Sequence, residues 1–113
     1  MKKIILIAFI GIVISCKNTN VTVISPNCIE TKIQKLKNEP VQNPPAKVWK
    51  WKVDGQTYYY ITSNCCDQYN YLFTSNCEIV CAPDGGITGK GDGKCPVFTN
   101  KIIKTLVWED KRK

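Results

Sequence analysis

The chain contains no histidine. That removes the Ser–His and Cys–His pairs that activate nucleophiles, and most zinc sites, which draw on imidazole. None of its seven cysteines forms a Cys-x-x-Cys, so the usual dithiol redox motif is missing too. No apolar run approaches the roughly 20 residues that a membrane-crossing helix needs. No unit repeats at the spacing of solenoids or propellers. Acidic residues are few, nine against sixteen Lys and Arg. Nothing in the sequence brings two of Asp67, Asp84, Asp92, Glu109 and Asp110 together as an acid–base pair. With no recognisable catalytic set, the expectation is a protein that is not an enzyme.

What is there begins at the amino terminus. Lys2 and Lys3 precede an unbroken apolar run, Ile4 to Ile14, followed by Ser15-Cys16. A basic head and a short greasy core are the build of a bacterial export signal. The junction Val13-Ile14-Ser15-Cys16 resembles a lipobox: a branched apolar residue, a small residue, then the cysteine that receives lipid. The expectation is a signal peptide over 1–15, lipidation at Cys16, a polar tether over 16–26 and one domain over 27–113. Acyl chains contribute ~0.8 kcal/mol per buried CH2, so two or more of them anchor a protein stably without crossing the bilayer. Lys17-Asn18-Thr19-Asn20 lacks the acidic cluster that sends some lipoproteins to the cell surface. A cell-envelope, periplasm-facing position is therefore expected, with the membrane as first partner.

With Cys16 assigned to lipid, Cys28, Cys65, Cys66, Cys77, Cys81 and Cys95 remain. An even set in a small exported domain reads as a disulfide framework whose pairing the sequence leaves open. Cys77 and Cys81 stand ~13 Å apart on an extended strand and do not bond each other. The neighbours Cys65 and Cys66 either close on themselves as a redox switch or each bond a different partner. The second arrangement is expected, since it staples their loop to two strands. The net charge of +7 is mostly scattered lysine and reads as a solvated surface. Affinity for anionic lipid or acidic glycan is the sharper alternative, and nucleic acid is not an expected partner in this compartment.

Along the domain, Asn27 is a suitable N-cap and Glu30 completes a capping-box-like pair. Ile29, Ile33 and Leu36 recur at helical spacing, and Pro40 ends the helix. A proline-rich connector, Val41 to Pro45, leads to the clearest local signal. Lys47 to Val53 and Gln56 to Thr62 flank Asp54-Gly55, a favoured two-residue hairpin turn. That turn sets Val53 opposite Gln56, Trp51 opposite Tyr58 and Trp49 opposite Tyr60. One face then carries Trp49, Trp51, Val53, Tyr58 and Tyr60 and is expected to pack on the helix. The other, with Val48, Lys50, Lys52, Thr57, Tyr59 and Ile61, is expected to be partly wet. A second hairpin is read from Tyr69 to Ala82, turning near Ser75-Asn76, with Cys77, Ile79 and Cys81 alternating on one face. Pro83 to Lys94 reads as a glycine-rich loop, and Leu106-Val107-Trp108 as a closing strand, although Ile102, Ile103, Leu106 and Val107 also fit a helix. The predicted fold class is α+β, one helix packed on a small antiparallel sheet of four to five strands.

Two segments invite chemistry. The Asp84–Gly93 stretch alternates Asp and Gly as calcium loops do, with Asp67, Asp84 and Asp92 as the candidate ligands. Its spacing departs from the EF-hand, and Gly89-Lys90 precedes glycine rather than the Ser or Thr of a phosphate loop. A turn-rich loop held by Cys81 and Cys95, with no metal or other cofactor, is the simpler reading. Trp49, Trp51, Tyr58, Tyr59 and Tyr60 are the residue types of a carbohydrate platform. Strand alternation assigns all but Tyr59 to a core.

The order Cys28-Ile29, Tyr58-Tyr59-Tyr60, Cys65-Cys66-Asp67, Cys81-Ala82-Pro83-Asp84-Gly85-Gly86, Gly89 with Gly91-Asp92-Gly93, Cys95 and Val107-Trp108-Glu109-Asp110 resembles a family of small uncharacterised cysteine-rich lipoproteins. These occur mainly in Bacteroidetes-type bacteria and are described as a domain of unknown function. The resemblance spans Asn27 to Arg112 and implies a disulfide-pinned lipoprotein domain; it implies no site residues. The expected function is a membrane-anchored envelope protein that binds a protein or ligand. An inhibitor or immunity-type protein acting on an envelope enzyme through the Gly85–Gly93 loop, or a calcium-dependent binding module, are the alternatives.

Overall fold

The computed structural model describes Gly11 and residues 25–113. The expected signal peptide (apart from Gly11), the expected lipidation site Cys16 and all but the last two residues of the expected tether lie outside the described residues. The domain contains one helix, α1 (Asn27–Asn38), and five strands. These are β1 (Lys47–Val53), β2 (Gln56–Ile61), β3 (Tyr69–Phe73), β4 (Ile79–Gly85) and β5 (Ile103–Glu109). The strands form one antiparallel sheet in the order β4-β3-β2-β1-β5. The α+β class is as expected. No helix among the described residues is long and apolar enough to cross a membrane.

The Asp54-Gly55 turn sets the register of the central hairpin. Both residues adopt positive φ, 50° and 73°, the geometry whose twist matches paired strands. Val53 faces Gln56, Trp51 faces Tyr58 and Trp49 faces Tyr60, as the turn requires. Asp54 also acts at a distance. Its carboxylate accepts hydrogen bonds from the Thr99 N–H (2.9 Å) and hydroxyl (2.9 Å) and from the Asn100 N–H (3.1 Å) and side-chain amide (2.7 Å). One turn residue thereby pins the segment leading into β5.

Helix α1 packs on the face that alternation left partly wet. Ile29 and Ile33 bury against Val48 and Tyr59, with Ile61, Val107, Trp108, Cys28 and Cys77 around them. The aromatic face lies on the other side of the sheet. Both ends of α1 are tied to this side. Cys28, in its first turn, bonds Cys77 in the β3–β4 turn. At its other end the Arg112 guanidinium donates to the carbonyls of Leu36 (3.0 Å), Lys37 (2.9 Å) and Glu39 (3.0 Å), satisfying acceptors that a helix end leaves open. Asp110 holds that guanidinium through a 2.7 Å ion pair. Asn27 is not the cap. Pro26 occupies that position without a side-chain bond, and Glu30 instead accepts from the Ser25 hydroxyl.

Three carboxyls sit below the usual carboxylate range. The Thr99 N–H lowers Asp54, the Lys94 N–H lowers Asp92, and the Arg112 guanidinium lowers Asp110. A carboxyl that titrates lower when folded stabilises the fold above its unfolded pKa, about 4. That stability is lost as pH falls through the folded value. The melting temperature should therefore hold steady down to about pH 5 and drop below about pH 4. Asp54→Asn should lower it at neutral pH and shrink the acid step, as measured by circular dichroism melts across pH.

Candidate functional site

The aromatic face of the sheet has its own core. Trp51, Leu72 and Cys81 are buried there, with Trp49, Tyr58, Tyr60, Val80, Cys95, Phe98 and Ile102 packed around them. The segment after β4 covers one part of this face. The Cys81–Cys95 bridge draws it inward, and the Gly91 and Asp92 N–H groups donate to the Gly85 and Ala82 carbonyls, both at 3.0 Å. Gly91 has φ 77°, and a Cβ there would strike the Ala82 carbonyl, so only glycine lets the loop lie on the strand. Beyond the loop an open cleft of about 230 Å3 remains, lined by Trp49, Trp51, Tyr60, Asp84 and Lys104.

Two β-bulges bring the polar members of this set to the aromatic side. Along β1 and β5, Val48 pairs with Trp108 but Trp49 pairs with Leu106. Val107 is the extra residue. Past it, Lys104 stands opposite Trp51 and shares its face; an unbroken ladder would put Thr105 there. Along β3 and β4, Asn70 pairs with Asp84 while Leu72 pairs with Cys81. Two steps on β3 match three on β4, so Asp84 joins Cys81 on the aromatic face. Pro83 sits in this irregular stretch of an edge strand, where a missing N–H costs no ladder bond. A further irregularity, between Leu72 and Phe73, sets Ile79 and Cys81 on opposite faces. Cys77 belongs to the turn at φ 63°. The expected Cys77-Ile79-Cys81 row therefore does not form, and β4 carries Pro83, Asp84 and Gly85, which the sequence assigned to the loop.

The cleft is organised around Trp51 and Asp84. Tyr60 stacks on the Trp51 indole at 5.2 Å between centroids, and the Lys104 Nζ lies 4.7 Å from the same ring system. The Tyr60 hydroxyl donates to both Asp84 oxygens, at 2.7 and 2.8 Å, and the Asn70 side-chain amide donates to Oδ1 at 2.7 Å. Burial, and then the Asp84 carboxylate it bonds, push the Tyr60 phenol well above its usual range. Tyr60 thus stays a neutral donor at every physiological pH. Lys104 and Asp84 share the cleft without pairing; the ion pairs among the described residues are Lys47–Glu109 and Arg112–Asp110. The indole N–H of Trp51 is buried with no hydrogen-bond partner among the described residues.

Of the three candidate ligands Asp67, Asp84 and Asp92, only Asp84 lines the cleft. Asp67 follows Cys66 between β2 and β3 and is exposed; the Asp92 carboxylate accepts from the Lys94 N–H at 2.9 Å. Among the described residues no group of three or more His, Cys, Asp or Glu side chains is arranged to hold a metal ion. Tyr59, the one aromatic that alternation left out of a core, is 2 % exposed under α1. Cys65 and Cys66 bond each other rather than separate partners; Cys28–Cys77 and Cys81–Cys95 take up the other four. Lys104 went unnoticed in the sequence because only the β5 bulge brings it to this side; Asn70 shares the face of Leu72 by simple alternation, but its partner Asp84 arrives there only through the β4 bulge. A second groove of about 170 Å3 runs along α1 past Leu36, Ile61, Tyr71 and Phe73. There the helix leaves part of β2 and β3 uncovered, and Lys32 already caps the Phe73 ring at 4.5 Å.

No curated protein and no solved structure matches the chain. A family model does match, over residues 34–110, which takes in every strand and all five cleft residues. The chain belongs to that family, the domain of unknown function DUF6970.

Proposed function

We propose that this protein is an envelope lipoprotein, held to a membrane by lipid on Cys16 and facing the periplasm, that works as a non-enzymatic binding module. The observation that carries the binding reading is the cleft. Aromatic surface, one carboxylate and one ammonium outside any ion pair among the described residues converge on a sheet face that the helix leaves open. Asp84 already accepts from Tyr60 and Asn70. A carboxylate so engaged orients a ligand better than it withdraws a proton.

Metabolic labelling with palmitate should mark the wild-type chain and not Cys16→Ala. An unlabelled wild type would remove the lipoprotein reading. An envelope extract should protect Trp49 from oxidation by N-bromosuccinimide, and failure of every fraction to do so would remove the cleft as a binding site. Turnover on a hydrolase panel, abolished by Asp84→Asn, would overturn the non-enzymatic reading.

A second reading has its own support. Ile87 is 89 % exposed on a loop pinned at Gly91 and Cys95, the rigid apolar tip that an inhibitor or immunity-type protein presents to an enzyme. Deletion of Ile87-Thr88 should then abolish capture of an envelope enzyme while the cleft variants retain it.

A further inference from the structure

We infer that the cleft between Trp49, Asp84 and Lys104 takes a single ring of a neutral saccharide; this rests on the cleft being a binding site. The charges in the cleft narrow the ligand first. Lys104 holds its ammonium over the Trp51 ring, the position a cationic ligand seeks on an aromatic face. A quaternary amine meets a like charge there. Asp84 places a carboxylate in the same cleft and opposes an anion. A ligand that suits both groups carries no charge and offers hydroxyls that donate to Asp84 and accept from Lys104.

The walls narrow it further. Trp49 and Tyr60 are half-buried, so each keeps aromatic surface in the cleft. An aromatic face is the negative side of a ring quadrupole, and it attracts the polarised C–H bonds that line one face of a pyranose. A sugar has that division built in: an apolar C–H face and a hydroxyl rim. The cleft divides the same way, with Trp49 and Tyr60 on one hand and Asp84 and Lys104 on the other. Asp84 is held in place by Tyr60 and Asn70, so its remaining lone pairs are fixed in direction before a ligand arrives, which cuts the ordering cost of binding. Its volume, about 230 Å3, lies below the roughly 300–1,000 Å3 of clefts that enclose drug-sized ligands. One ring fits, as a terminal unit or one residue of a longer glycan.

The test is a titration of the full chain, in a detergent without a sugar headgroup, followed by NMR of the indole and tyrosine ring signals. Glucose, galactose, mannose, N-acetylglucosamine and their short oligomers are the probes, with choline chloride and sodium phosphate as the charged comparisons. At least one saccharide should shift the Trp49, Trp51 and Tyr60 signals saturably, with a dissociation constant on the order of 1 mM, the affinity one small ring supplies. Trp49→Ala should weaken it about tenfold or more, the worth of one stacking face. Lys104→Met, at an exposed position that leaves the core intact, should weaken it severalfold. No response to any saccharide overturns the inference, as does a response unchanged in both variants, or binding of choline or phosphate in place of sugar. If envelope extract still protects Trp49 while every saccharide fails, the cleft binds another class of ligand. If neither acts, the binding reading falls with it.

Discussion

Cys28→Ser with Cys77→Ser should destabilise the domain by about 4 kcal/mol, from the loop-closure entropy of a bridge separated by 49 residues. The Cys81–Cys95 bridge, with a separation of 14 residues, should contribute about 3 kcal/mol on the same model. The Cys65–Cys66 bridge joins adjacent residues and closes no chain loop, so its removal should leave stability nearly unchanged. Folding free energies of small domains are only about 5–15 kcal/mol, so either of the first two losses brings the domain close to unfolding. Denaturant midpoints of the three double variants would rank them. A vicinal-pair variant as unstable as the Cys28/Cys77 variant would contradict this order. The first bridge also has a positional role: it holds the start of α1, and with it Ile29, over Val48 and Tyr59.

Tyr59→Ala should cost about 3–5 kcal/mol, the usual penalty for emptying a buried aromatic site. Tyr59 lies between Ile29, Ile33 and Val48 at 2 % exposure. Trp49→Ala, on the opposite face and half-buried, should cost clearly less while weakening ligand binding about tenfold or more. The pair separates two architectures. If α1 lay on the aromatic side, Trp49 would carry the fold and Tyr59 would be the tolerant position. Denaturation curves for both variants, with m-values unchanged, decide the matter.

Local chemistry made much of this legible in advance. Asp54-Gly55 dictates a two-residue turn, and a two-residue turn permits one register, so the pairs Trp51–Tyr58 and Trp49–Tyr60 follow from the sequence. Ile29 and Ile33 at helical spacing mark the buried stripe of α1. The second hairpin and the anchoring of the glycine loop by Cys81 and Cys95 were readable on the same grounds; the closing strand was only half legible, because Ile102, Ile103, Leu106 and Val107 fit a helix as well. Alternation failed where a strand takes in an extra residue. A bulge leaves no reliable trace in a period-two pattern, yet it moves every later side chain to the other face. Val107 does this for Lys104, and the Ala82-Pro83 stretch does it for Asp84. The choice of sheet face for the helix was equally hidden, because Val48, Tyr59 and Ile61 are interrupted by Lys50 and Lys52 and look half-polar when read in line. The Cys65–Cys66 bond escaped for a related reason: it depends on where the other four cysteines go.

By itself, then, the sequence determined the elements, the central register and the need for sulfur bridges, since each rests on neighbours a few residues apart. Only the tertiary structure decided which face the helix covers, which cysteines meet, and that Asp84 and Lys104 converge beside Trp51. Those outcomes depend on contacts between segments tens of residues apart, and one inserted residue in a strand reverses the side on which they form.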